Sequence, residues 1–82
     1  MWEEGVIDGF EYQAKVFDTG STFGINNGRI SKLWVKDVNS NTIIMSYDRG
    51  WDVEPESEPH KNLLKRILAL YPVKEVAKAE DK

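Results

Sequence analysis

The chain has 82 residues, no cysteine, 40% hydrophobic residues and a formal net charge of −3. This length suits one domain with a single core, and it excludes catalysis at a site shared between two domains. The absence of cysteine excludes a thiol nucleophile, and the acidic balance disfavours non-specific binding along a phosphate backbone.

The absence of cysteine also indicates a cellular compartment. Small secreted domains usually depend on disulfides, so a chain of this size without them is typical of a reducing environment, and we expect a cytoplasmic protein. The first residues, Met1 to Glu4, lack the basic and apolar regions of a signal peptide. No apolar run approaches the roughly 20 residues that span a bilayer, so we expect no membrane partner.

The first predicted element is a β-hairpin. Asp8-Gly9 stands between hydrophobic residues, and this dipeptide favours a tight turn because both of its positions take a positive φ. After the turn, hydrophobic and polar residues alternate with the period of a strand that has one buried face. The hydrophobic positions of this strand are Phe10, Tyr12, Ala14 and Val16.

Two more strands are predicted after loops at 18–22 and 26–28, whose Asn and Gly residues favour turns. From Arg29 to Asp37, alternation places Ser31, Leu33 and Val35 on one face and Ile30, Lys32, Trp34 and Lys36 on the other. From Thr42 to Asp48, the pattern favours Ile43, Met45 and Tyr47 as the inward set. Trp51 and Val53 then share a face in a short extended piece, which is either a last strand or an ordered loop.

A helix is predicted near the C-terminus. Ser57 is a good N-cap, Pro59 is tolerated in the first turn, and Pro72 ends or kinks the helix. Its apolar stripe consists of Leu63, Leu64, Ile67, Leu68 and Tyr71. We therefore predict an α+β fold, an antiparallel meander of three to four strands with one C-terminal helix on one face. Residues 1–72 form the domain, and 73–82 form a charged, flexible tail.

The sequence offers little for catalysis. His60 is the only histidine, no serine stands in a Gly-x-Ser-x-Gly motif, and the glycines at 24 and 28 do not form a phosphate-binding loop. Asp48, Asp52 and Glu54 do not match the spacing of a calcium-binding loop. We therefore expect no enzyme activity, no cofactor and no metal site.

The most suggestive group is Lys32, Trp34 and Lys36, which alternation places on one strand face, with Arg29 at the start of the strand. An open aromatic residue between cations would suit single-stranded nucleic acid, because bases stack on the ring and phosphates pair with lysine. Alternatively, Trp34 with Ile30 and Ile44 would be the centre of a protein-binding patch, or Trp34 would simply be covered by neighbours such as the Trp2 segment.

The segment from Tyr47 to Asp52 is the most distinctive string in the chain. Arg49 is expected to pair with Asp48 or Asp52 and to stack on Trp51, and Gly50 is expected to supply the unusual backbone angles of the bend. These interactions favour a structural role for the segment over a binding role.

Three segments, Phe23 to Trp34, Tyr47 to Asp52 and the opening Trp2 to Tyr12, resemble a family of short uncharacterised proteins from Gram-positive bacteria and their phages. The resemblance covers most of residues 2–71. It implies a small cytoplasmic accessory protein and assigns no functional residue.

The leading hypothesis is therefore a small non-catalytic interaction module. It would bind a protein partner, or a second copy of itself, through the sheet face that the helix leaves open. The alternative is single-stranded nucleic-acid binding through the four residues Arg29, Lys32, Trp34 and Lys36.

Overall fold

The computed structural model describes residues 1–72, and the predicted flexible tail at 73–82 lies outside the described residues. In chain order the elements are β1 (Trp2–Ile7), β2 (Phe10–Val16), a 3₁₀ turn (Ile25–Asn27), β3 (Ile30–Asp37), β4 (Thr42–Asp48), β5 (Trp51–Val53) and α1 (Glu58–Leu70). The predicted α+β fold is confirmed.

The strands form one antiparallel sheet in the order β1-β2-β3-β4-β5, so each strand pairs with its neighbour in sequence. The sheet has five strands rather than three to four, because the piece Trp51–Val53 pairs with β4. The predicted Asp8-Gly9 turn joins β1 to β2, with φ of 50° and 84° at its two positions.

Helix α1 covers one face of this sheet. Its N-cap is Ser57, as predicted, and the Ser57 hydroxyl accepts a hydrogen bond from the backbone N–H of His60. Leu63 and Ile67 of the helix are buried in one core with residues of β2, β3, β4 and the 3₁₀ turn. The strand and turn residues of this core are Tyr12, Ala14, Val16, Ile25, Ile30, Leu33, Val35, Met45 and Tyr47.

Two β-bulges change which residues face the core. Lys15 pairs with Lys32 but Val16 pairs with Ile30, so one extra residue, Ser31, stands in β3. As a result Ile30 is 1% exposed and belongs to the core, and the prediction that it shares a face with Lys32 is wrong.

The second bulge lies in β4. Val35 pairs with Met45 while Lys36 pairs with Ile43, which leaves Ile44 as the extra residue. Met45 and Tyr47 face inward as predicted, but Ile43 is 45% exposed and faces outward. A pattern of strict alternation cannot represent an inserted residue, and this is the physical reason for both corrections.

Candidate functional site

The sheet face opposite α1 is called the open face below. Strand register and burial place on it side chains from the four longer strands. They are Trp2, Glu4 and Val6 of β1; Glu11, Gln13 and Lys15 of β2; Lys32, Trp34 and Lys36 of β3; and Ile43, Ser46 and Asp48 of β4. Three of the four residues proposed from the sequence therefore lie together on this face.

Trp34 lies on the central strand of the open face and is half-buried. The ring of Trp2 stacks on it, with centroids 5.6 Å apart and planes 17° from parallel. Trp2 itself is 52% exposed. The expectation that the Trp2 segment covers Trp34 is thus met in part, and the two rings present one aromatic surface to solvent.

The lysines on either side of Trp34 have acidic neighbours. Lys36 Nζ lies 3.6 Å from Glu11 Oε1, and Lys32 Nζ lies 3.8 Å from Asp48 Oδ1. All four side chains are partly exposed, so each pair contributes little to stability. Counting Glu4 and Lys15 as well, the open face has equal numbers of acidic and basic groups.

Arg29 does not join this group. Its Nε donates to the backbone oxygen of Phe17 at 2.7 Å, and another guanidinium nitrogen donates to the oxygen of Pro72 at 3.1 Å. The side chain therefore ties the loop after β2 to the chain that follows α1, where it stabilises the fold.

At one end of the open face lies a depression of about 400 Å³, called the Phe cleft below. It is formed where β2 ends, β3 begins and β4 turns into β5. Its lining residues are Lys15, Phe17, Phe23, Ser31, Lys32 and Arg49. Only Lys32 of this set belongs to the group proposed from the sequence.

The bend at Arg49 orients one wall of the Phe cleft. Arg49 has φ 59°, so it, rather than Gly50, takes the left-handed conformation of the bend. Its Nε lies 3.8 Å from Asp48 Oδ1, as expected, but its guanidinium stands over Phe23 at 6.0 Å and not over Trp51. Trp51 instead packs edge-on against Tyr47, with centroids 4.9 Å apart.

His60 lies at the opposite end of the strands, where its ring packs edge-on against Phe10 with centroids 5.7 Å apart. Within residues 1–72, no group of three or more His, Cys, Asp or Glu side chains is arranged to hold a metal ion. In the same range, no helix is long and apolar enough to cross a membrane.

Several residues of these surfaces were not singled out from the sequence. The pairing of Trp2 with Lys15 could be predicted from the sequence, because the two-residue turn at Asp8 and Gly9 fixes the register of the hairpin. The positions of Ile43, Phe17 and Phe23 could not, since the first depends on a bulge and the other two on the path of a loop.

The family model described as "Domain of unknown function (DUF7678)" matches residues 1–72, which is most of the chain. Comparisons with curated proteins and with solved structures gave no match.

Proposed function

Because the chain belongs to this family, whose description gives no activity, we propose from its geometry that it is a small non-catalytic interaction module that binds a protein partner through the open face. The observation that carries the proposal is the Trp2–Trp34 stack, which lies at the middle of a sheet face that the helix leaves uncovered.

Two exposed apolar side chains share the open face with the Trp2–Trp34 stack. They are Val6 and Ile43. Tryptophan at the centre of an interface contributes more binding energy than most residues do, and neighbouring apolar contacts exclude water from it. A hollow of about 160 Å³ between Trp34 and Ile43 gives a partner side chain a place to insert.

The charges beside the Trp2–Trp34 stack support a protein rather than a phosphate backbone as the occupant of this part of the open face. The acidic residues Glu4 and Glu11 lie there with Lys36, whose Nζ is 3.6 Å from Glu11 Oε1. Such pairs around an aromatic centre resemble the polar rim of a protein interface. Trp2 covers one side of the Trp34 ring, so a base can stack on that side only if Trp2 is displaced.

The cellular setting belongs to the same proposal. A chain without cysteine suits a reducing compartment, and its sequence resembles short proteins of Gram-positive bacteria and their phages. We therefore expect the protein in the cytoplasm of such a cell, where fractionation with an antibody should recover it from the soluble fraction; recovery from the membrane or the medium would contradict this setting.

The proposal is tested with a matched pair of variants, Ile43→Asp on the open face and Val38→Asp at the β3–β4 turn. Both replace an exposed aliphatic residue by the same charge, so they should have similar stability. A protein recovered from native cell extract by the wild type should also be retained by Val38→Asp and lost by Ile43→Asp. When this partner is added to the isotope-labelled wild type, it should shift the NMR signals of backbone amides in β1 to β4.

Two further observations complete this test. Sedimentation velocity over a range of concentrations decides whether the partner is a second copy, since self-association through this face would disappear in Ile43→Asp. Equal retention of the partner by both variants, or amide shifts confined to α1, would contradict docking on the open face.

A further inference from the structure

We infer that the Phe cleft is a binding site for single-stranded nucleic acid, distinct from the protein-docking surface around Trp34. Phosphates would pair with Lys15, Lys32 and Arg49, and an unstacked base would lie against Phe17 and Phe23. This places nucleic-acid chemistry at one end of the open face rather than at Arg29, Trp34 and Lys36.

The cleft is basic although the chain is acidic overall. Three of the eight Lys and Arg residues in 1–72 line it. Their acidic neighbour is Asp48, whose Oδ1 lies 3.8 Å from both Lys32 Nζ and Arg49 Nε, while Lys15 forms no ion pair within the described part of the chain. Three cations around one carboxylate leave an excess of positive charge for phosphate.

Both aromatic walls of the cleft are accessible. Phe17 is 40% exposed and Phe23 is 57% exposed. Lys15 Nζ stands 5.7 Å from the Phe17 ring centre and Arg49 stands 6.0 Å from that of Phe23. Each ring therefore has a cation beside it, which is the combination that binds a base and its phosphate together.

The Phe cleft also contains an unused polar group. Ser31 is 3% exposed, it lines the cleft, and its hydroxyl makes no hydrogen bond within residues 1–72. A buried hydroxyl without a partner is unfavourable unless a ligand or water satisfies it. Ser31 is the extra residue of the bulge in β3. Bulges commonly turn a side chain toward a binding site, and this one places the Ser31 hydroxyl in the cleft.

The charge distribution of the whole molecule favours an anion at this end. The acidic segment Asp52, Glu54, Glu56 and Glu58 leads away from the cleft into the start of α1. The contact between His60 and Phe10 places that start beside the β1–β2 turn, at the far end of the strands. Because the basic cleft and the acidic segment lie at opposite ends of the strands, the electrostatic field steers a polyanion toward the cleft.

A single strand fits the Phe cleft better than a duplex does. Bases of a duplex are stacked on one another and cannot lie on a phenylalanine ring, whereas those of a single strand can. The volume of about 400 Å³ lies in the range of small-ligand sites, so the cleft takes one base, and the phosphates of that nucleotide and its neighbours would pair with the three cations.

The test measures fluorescence anisotropy of a labelled eight-nucleotide single strand of mixed sequence at low salt. The wild type should bind, and log affinity should fall against log salt with a slope near −2, about −0.7 for each of three phosphate contacts. Phe23→Ala should weaken binding about tenfold or more, while its backbone oxygen still accepts the Tyr47 hydroxyl at 2.8 Å. Arg49→Asn should lower the slope by about 0.7, and asparagine tolerates the positive φ.

The matched control is Lys65→Gln, which removes one charge from the exposed face of α1 and should leave affinity within about twofold. Equal losses in Lys65→Gln and Arg49→Asn would overturn the site, because they would show attraction to net charge alone. No binding at low salt, equal affinity for a mononucleotide, or equal affinity for an oligoglutamate peptide would each overturn single-strand binding. Ile43→Asp should bind the strand normally, which separates this result from the protein-docking test.

Discussion

At the scale of single residues, backbone geometry distinguishes glycines that are required from those that are not. A Cβ at Gly24 would overlap the backbone oxygen of Gly28 and would lie 3.2 Å from that of Ile30. Backbone atoms cannot rotate away as a side chain can. Gly24 therefore determines the path of the loop that carries Phe23 into the Phe cleft.

We expect Gly24→Ala to lower the free energy of unfolding by about 3 kcal/mol, the upper part of the range for overpacking. The matched control is Gly50→Ala, because a Cβ at Gly50 has no neighbour within 4 Å. Its stability should stay within about 0.5 kcal/mol of the wild type. Urea denaturation measures both, and equal stability of the two variants would contradict the steric argument.

Tyr71 shows a second effect at this scale. Burial, together with the 2.9 Å hydrogen bond between its hydroxyl and that of Tyr12, raises the pKa of Tyr71 above its ordinary value of 10.0. The neutral hydroxyl is therefore favoured in the folded state. Above pH 10 the unfolded chain loses this proton while the folded chain keeps it, so stability falls as the pH rises.

Tyr71→Phe should remove this part of the alkaline loss of stability. At neutral pH the variant loses only the hydrogen bond, about 1 kcal/mol. Urea midpoints measured from pH 8 to 11 should therefore fall less steeply for Tyr71→Phe than for the wild type. Parallel curves would show that Tyr71 does not carry the effect.

At the scale of elements, local chemistry decides where the helix and the turns begin. The Ser57 hydroxyl accepts from the N–H of His60 at 3.3 Å, and Pro59 occupies the first turn without losing a hydrogen bond. The hairpin turn at Asp8 and Gly9 also depends on local chemistry, since both residues tolerate a positive φ. These features depend on neighbours in sequence, and they were predictable for that reason.

Ser57→Ala should lower the free energy of unfolding by about 1 kcal/mol, because one N–H of the first turn loses its acceptor. Ser57→Asp should retain most of the stability, since a carboxylate caps the N–H and also suits the positive end of the helix dipole. Thermal melting followed by circular dichroism measures both. Equal losses in the two variants would indicate that the serine acts through packing rather than capping.

The sheet face on which a strand residue lies was predictable only where the strands are regular. Lys32, Trp34 and Lys36 share the open face because β3 is regular from Lys32 to Asp37; the residue inserted opposite Val35 and Lys36 belongs to β4. Ile30 and Ile43 were misplaced because Ser31 and Ile44 each insert one residue, and an insertion reverses the facing of every position beyond it.

At the scale of the whole molecule, a few long-range contacts hold the layers together. Arg29 joins the oxygens of Phe17 and Pro72, which lie 55 residues apart in sequence (72 − 17), and Arg66 of α1 pairs with Asp8 of the hairpin turn. These contacts hold the second half of α1 and the chain that follows it against the sheet. The sequence predicts a binding role for Arg29 because it stands at the start of the strand that carries Lys32 and Trp34, and its two backbone partners are too distant in sequence to be predicted.

Arg29→Lys should lower the free energy of unfolding by about 1 kcal/mol, because an ammonium group cannot reproduce the two directed guanidinium hydrogen bonds at this partly exposed position. Binding of single-stranded oligonucleotide should change by less than about twofold. Denaturation and anisotropy on the same sample separate the two effects. Unchanged stability with a large loss of affinity would return Arg29 to the binding site.

The sequence by itself determined the order of elements, the hairpin turn, the helix cap and the charge of each segment, because these depend on residues that are close in the chain. Tertiary structure alone decided that Trp2 stacks on Trp34, that Arg29 binds two backbone oxygens, and that Phe17 and Phe23 flank three cations. The physical reason is that bulges and loop paths are set by packing between distant segments, and that packing assembles the open face and the Phe cleft.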